Sequence, residues 1–150
     1  MTRLFLFTVC TVAGLVCASC DEPLSSITGP TPELAPTFTS IQRNILTTTD
    51  SAGRAACTNC HTTAGGRVPP AGMDLGSANA HAQIVNVAAI GKPGAIRVVP
   101  GDPENSYLIH KLEGRTGIAG LRMPRSGPPY LTEGQIRVIK RWIELGAPNN

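Results

Sequence analysis

"CTNCH", residues 57–61, is the stretch on which the reading of this chain turns. Two cysteines stand three positions apart, and a histidine follows the second directly. Thiols and imidazoles hold zinc, form redox disulfides or bind haem, so the rest of the sequence has to choose among three chemistries.

A structural zinc site needs four ligands. Cys57, Cys60, His81 and His110 could supply them, but the Cys60–His81 and His81–His110 gaps do not match a common finger, and His61 would have no role. A thioredoxin-like pair sits after a strand and opens a helix. The flank "SAGRAACTNC", residues 51–60, is small and polar and does not read as a buried strand. Covalent haem attachment fits the spacing. Two thiols add across the two vinyl groups of one porphyrin, and the two-residue spacer lets both sulfurs reach one edge. The histidine that follows then lies beneath the iron and ligates it. The expectation is one covalent haem c, with Cys57 and Cys60 as thioether sites and His61 as the proximal iron ligand.

Composition agrees with a cofactor-filled core. Hydrophobic residues make up 41% of the chain but aromatics only 4%, so few bulky side chains are present to fill a centre that a large flat group would occupy. With 16 Gly and 13 Pro in 150 residues, the sequence predicts short helices joined by long ordered loops rather than a sheet-rich fold. The length suits one domain plus an extra segment. A formal charge of +3 without a polybasic run gives no reason to expect nucleic acid as a partner.

The extra segment is N-terminal. "MTRLFLFTVCTVAGLVCASC" carries a basic Arg3, an apolar run from Leu4 to Val16, and then small residues. That is the order of a secretory signal, and the run is short for a membrane-spanning helix. Residues 1–19 are therefore read as a signal peptide. Cys17-Ala18-Ser19 before Cys20 resembles a bacterial lipobox, in which the cysteine becomes the lipidated first residue; Cys17 stands where Leu is usual. The competing reading is ordinary cleavage after Ala18 or Ser19. With two or more acyl chains Cys20 would anchor the protein stably without a spanning helix. Cys10 and Cys17 leave with the signal, so only Cys57 and Cys60 remain for the folded domain, which is no disulfide scaffold. Residues 21–37, "DEPLSSITGPTPELAPT", are Pro-, Ser- and Thr-rich and read as a tether, with the domain at 38–150.

Four helices are expected in that domain. The first covers about residues 39–47 and leads into the motif. The second covers about 78–88, with Ser77 as N-cap, Ile84, Val85 and Ala88 facing inward, and Gly91 as the stop. The third follows "PGDPENSYLIHKLEG", with Asp102 as cap, Pro103 in the first turn and Gly114 at the end. Its apolar side is Tyr107, Leu108 and Leu112. The fourth opens with a Thr132/Gln135 capping box. Ile136, Ile139 and Ile143 form its stripe, widened by Val138, Trp142 and Leu145, and Gly146 closes it.

His61 leaves one face of the iron to fill. Met73, His81, His110 and Met123 are the candidates. Met73 follows the motif closely, in a loop that would pack beside the haem. Met123 lies in "GLRMPRSGPPY", rich in Gly and Pro and without apolar period, where packing gives little reason for a methionine. Its soft thioether ligates haem iron well, so Met123 is the expected distal ligand. His81 and His110 are expected to be solvated or on helix surfaces. An axial histidine usually donates its second N–H to a carbonyl, and the Val68-Pro69-Pro70 segment is the expected source.

A short helix, CxxCH, a middle helix, "PGDPENSYLIHKL", "RMP" and a final "IKRWIELGAP" together resemble the c-type cytochrome domain. The likeness is to modules of planctomycetes and other environmental bacteria, and it covers residues 38–147. It implies a small all-α, cytochrome c-like fold around one haem, with thioethers at Cys57 and Cys60 and axial ligands His61 and Met123. It also matches Trp142 to the family's final-helix tryptophan, which here is expected to pack in the core. The loop "TTAGGRVPPAGMDLGS" is longer than in the compact soluble members, so the resemblance does not describe the lining of the proximal side.

The implied function is a monohaem single-electron carrier, not an enzyme, exported to the periplasm or the outer face of the cytoplasmic membrane as a lipoprotein. Its partners would be redox proteins such as a dehydrogenase, an oxidase or another cytochrome. A haem peroxidase or gas sensor with an open distal site is one alternative. An accessory haem module of a membrane dehydrogenase or oxidase complex is another. Arg122 and Arg125 beside Met123 would meet haem propionates, steer an acidic partner, or simply face solvent.

Overall fold

The computed structural model describes residues 33–150 with the exception of Ser77. The signal peptide, Cys20, most of the tether and the Ser77 cap lie outside the described residues. Helix α1 spans Phe38–Ile41 and runs on into one wider turn, Gln42–Leu46. Helices α2 (Ala80–Ile84), α3 (Tyr107–Glu113) and α4 (Glu133–Glu144) follow, with single 3-10 turns at Cys57–Asn59, Ala64–Gly66 and Pro70–Gly72. Extended chain among the described residues pairs only as isolated bridges, including Val85 with Val98 and Ile96 with Ser106. The all-α expectation is therefore met at the level of fold class: short helices, long loops and no sheet among the described residues.

Helix α4 is the central element. Thr132 accepts from the Gln135 N–H at 3.2 Å while the Gln135 side chain accepts from the Thr132 N–H at 3.0 Å. This reciprocal cap satisfies two backbone donors that a helix start leaves open. Ile136, Ile139, Trp142 and Ile143 are all buried. Leu145, expected on the same stripe, is 52% exposed. The helix ends at Glu144, so Leu145 no longer follows the helical period.

Residues beyond α4 fold back onto α1 and α2. The Trp142 indole N–H donates to the Pro148 carbonyl at 2.9 Å, and His81 Nε2 donates to the Ala147 carbonyl at 2.8 Å. The rings of Phe38 and His81 meet edge to face with centroids 5.0 Å apart. His81 is thus part of the packing and not the solvated residue expected. The packed chain also reaches upstream of the expected start at residue 38: Leu34 is buried in the core, and Thr37 caps α1.

Two helices are shorter than expected, each for a tertiary reason. Helix α2 stops at Ile84 because the next residues turn away to pair with residues 96–98. The Asn86 N–H donates to Val98 and the Val98 N–H returns to Ile84. Ala88, expected to face inward, is exposed. Helix α3 begins at Tyr107 instead of Pro103. The Asp102 carboxylate is taken by the N–H and side-chain amide of Asn105 at 3.0 and 2.6 Å, which closes a turn instead of a helix cap. The open N–H groups of Tyr107 and Leu108 are met by the carbonyls of Ile96 and Arg97. At the other end Gly114 stops α3 as expected. Its φ is +72°, and a Cβ there would lie 2.9 Å from Arg122 Cδ.

The Ile143/Leu145 contrast is a direct test of this packing. Ile143→Ala is expected to destabilise the protein by about 3 kcal/mol, and Leu145→Ala by less than about 0.5 kcal/mol, in urea unfolding.

Candidate functional site

The motif forms one tight turn. The Cys60 and His61 N–H groups both donate to the Cys57 carbonyl, at 3.2 and 2.9 Å. That turn brings the three chemically active side chains of the sequence reading together. Both cysteines are free thiols; Cys60 is exposed and Cys57 half-buried against the core. Burial raises the Cys57 pKa, and the charge of Arg54 works against that rise.

Arg54 is how the motif is held. It is fully buried, and its Nε donates to Asp50 at 3.1 Å. Its remaining donors reach the carbonyls of Ile45, Ala55 and Thr48. Helix ends leave carbonyls without partners. The Ile45 carbonyl, in the wide turn after α1, accepts from Arg54 and lies 3.7 Å from the Cys57 thiol. One fork of hydrogen bonds therefore docks the motif on α1. The sequence offered one local hint of it, the i,i+4 spacing of Asp50 and Arg54.

His61 is half-buried, and its Nδ1 is enclosed without a hydrogen-bond partner of good geometry. Burial lowers its pKa; the backbones of Met73 and Pro70 oppose this, and the charge of Arg97 adds to it. The ring is thus biased toward neutral imidazole, the form that ligates metal. Of the segment expected to hold the ring, Pro70 is the residue whose backbone approaches it. Met73 is the second, and it packs against the core as a half-buried side chain. The His61 carbonyl accepts from the Leu75 N–H at 3.0 Å, which draws this long loop back to the motif.

Met123 is half-buried against the same core as Cys57 and Met73. Its loop is sewn to the open end of α3. The Met123 N–H donates to the Lys111 carbonyl at 2.8 Å, and Arg122 Nε to the Leu112 carbonyl at 2.7 Å. The Arg122 guanidinium lies 4.1 Å from the Tyr130 ring centroid. Arg122 therefore braces the loop from within, whereas Arg125 is exposed. His81 and His110 each commit Nε2 to a backbone carbonyl, of Ala147 and of Glu104. Those bonds favour the structural reading of both histidines over a ligand role.

This is the donor set that a covalently attached porphyrin would require. Two free thiols and an imidazole biased toward its neutral form share one turn, and a buried ring nitrogen lacks a partner. Among the described residues, large apolar side chains stand exposed on loops: Val68, Ile90 and Leu121 are 91%, 69% and 60% exposed. Ile90 lies over Gly72, in the loop that approaches His61, and Leu121 precedes Met123 by two positions.

No family model, no curated protein and no solved structure matches this chain.

Two outcomes check the geometry. In the chain with free thiols, iodoacetamide at mildly alkaline pH is expected to label Cys60 at least about tenfold faster than Cys57, since Cys60 is exposed and burial raises the Cys57 pKa; peptide mass mapping over time reads the ratio. Asp50→Asn leaves a buried guanidinium without its anion and is expected to cost about 3 kcal/mol in urea unfolding.

Proposed function

We propose that this chain is a monohaem c-type cytochrome with a small cytochrome c-like fold, carrying single electrons at the outer side of the cytoplasmic membrane. The observation that carries the reading is the CTNCH turn, with two unpaired thiols and a neutral-leaning, half-buried His61 within five residues. Bound haem would supply a one-electron iron couple. Cys57 and Cys60 would hold it through thioethers, and His61 and Met123 would occupy the two axial positions.

The chain's own residues support a carrier. The Arg54 fork fixes the motif on α1, and α3 fixes the Met123 loop, so both axial side chains come from anchored segments. Little would need to rearrange as charge changes. Methionine opposite histidine raises the potential relative to two histidines. Half-burial of both side chains restricts water at the site. A lipid at Cys20 would keep the protein beside membrane redox partners.

The test is the tryptic peptide of residues 55–67, which spans the motif between Arg54 and Arg67. In protein exported by a host with haem-attachment machinery, this peptide is expected to carry the mass of one haem. The double variant Cys57→Ser/Cys60→Ser is expected to carry none. A wild-type peptide with two free thiols or one internal disulfide would reject the proposal.

A further inference from the structure

Arg97 stands inside the apolar run "AIRVV", residues 95–99, and is 7% exposed. Its Nη1 donates to the Gln83 carbonyl in α2 and its Nη2 to the Ala71 carbonyl, both at 2.6 Å. Its own backbone is held as well, with the N–H on the Val87 carbonyl and the carbonyl on the Leu108 N–H. Among the described residues no carboxylate pairs with it. A buried cation without an anion is costly, so the two carbonyl bonds have to compensate.

Ala71 is an unusual residue to hold. It sits in the Pro70–Gly72 turn with φ +56°, a conformation that a residue with a side chain keeps only when its surroundings impose it. Arg97 is the side chain bonded to its carbonyl. On either side of Ala71 lie Pro70 and Met73, whose backbones approach the His61 ring.

We infer that Arg97 is a positioning residue: it clamps the Ala71 turn to α2, thereby holding the Pro70–Met73 backbone against His61, and places an uncompensated positive charge beside that site. The second half rests on the proposed haem function. Ferric iron carries one more positive charge than ferrous iron, so a fixed cation nearby disfavours the ferric state and raises the potential. The charge comes from inside the fold, whereas Arg122 braces the Met123 loop through the Leu112 carbonyl and the Tyr130 ring.

The experiment uses the exported protein as wild type, Arg97→Lys and Arg97→Gln, with two readouts. The first is amide hydrogen exchange at Gly72 and at Leu75, whose N–H bonds the His61 carbonyl. Lysine keeps the charge but cannot bridge two carbonyls with a planar fork. Exchange at both amides is expected to quicken several-fold in both variants. The second is the midpoint potential, expected to fall in Arg97→Gln and to stay close to wild type in Arg97→Lys. Unchanged exchange in both variants would overturn the positioning role. Equal potentials in wild type and Arg97→Gln would overturn the electrostatic one. The exchange contrast is readable with or without haem, so wild-type protein lacking haem would sink the functional reading and leave the clamp standing. Should Arg97→Gln fail to fold, Arg97→Lys alone still decides the clamp.

Discussion

The buried Arg54 guanidinium is the interaction on which the site depends. A charge enclosed in protein is tolerated only when paired and fully hydrogen-bonded. Arg54 meets both conditions within its own neighbourhood, through Asp50 and three backbone carbonyls. Those carbonyls belong to the wide turn after α1 and to the loop entering CTNCH. Satisfying one side chain therefore fixes the distance between the first helix and the motif. The spread of guanidinium donors matters here, because a lysine could carry the charge but its single nitrogen, with three donors, could not serve a carboxylate and three carbonyls at once. The Cys57 thiol rests on the same Ile45 carbonyl, so the motif's first reactive atom inherits its place from that fork.

A second set of open helix-end carbonyls organises the Met123 loop. Helix α3 ends at Gly114, and its last turn leaves the Lys111 and Leu112 carbonyls open. The loop carrying Met123 closes them with a backbone N–H and the Arg122 side chain. Helix ends, not helix faces, thus present the sulfur and imidazole side chains. This explains how a chain with seven-residue and shorter helices can hold a defined site: the long loops are fastened wherever a helix stops. Among the described helices only α4, with twelve residues, is long enough to rely on a continuous apolar stripe.

What the sequence made legible was local. The CTNCH turn, the Thr132/Gln135 cap, the Ile136–Ile143 stripe and the Gly114 stop each depend on residues a few positions apart. Features decided by distant partners were not readable. Helix α2 ends early because residues 96–98 claim the backbone of residues 84–87, and nothing near Ile84 announces it. His81 looked like a surface residue because Phe38, Trp142 and Ala147, which enclose it, are spread along the chain. Arg97 gave one signal, a charge within an apolar run, but its partner Ala71 lies far upstream. The pairing of His61 with Met123 on one iron is a reading of side-chain chemistry and of the resemblance to c-type cytochromes. Its structural support is that both are anchored, half-buried residues.

The visible spectrum of the exported protein, oxidised, then reduced, then exposed to carbon monoxide, tests that pairing most directly. The account predicts a low-spin c-type spectrum with the ferric methionine-sulfur band and no change on adding carbon monoxide. A high-spin spectrum that shifts with carbon monoxide would contradict it and would mean an iron with an open face, suited to ligand binding instead of electron carriage.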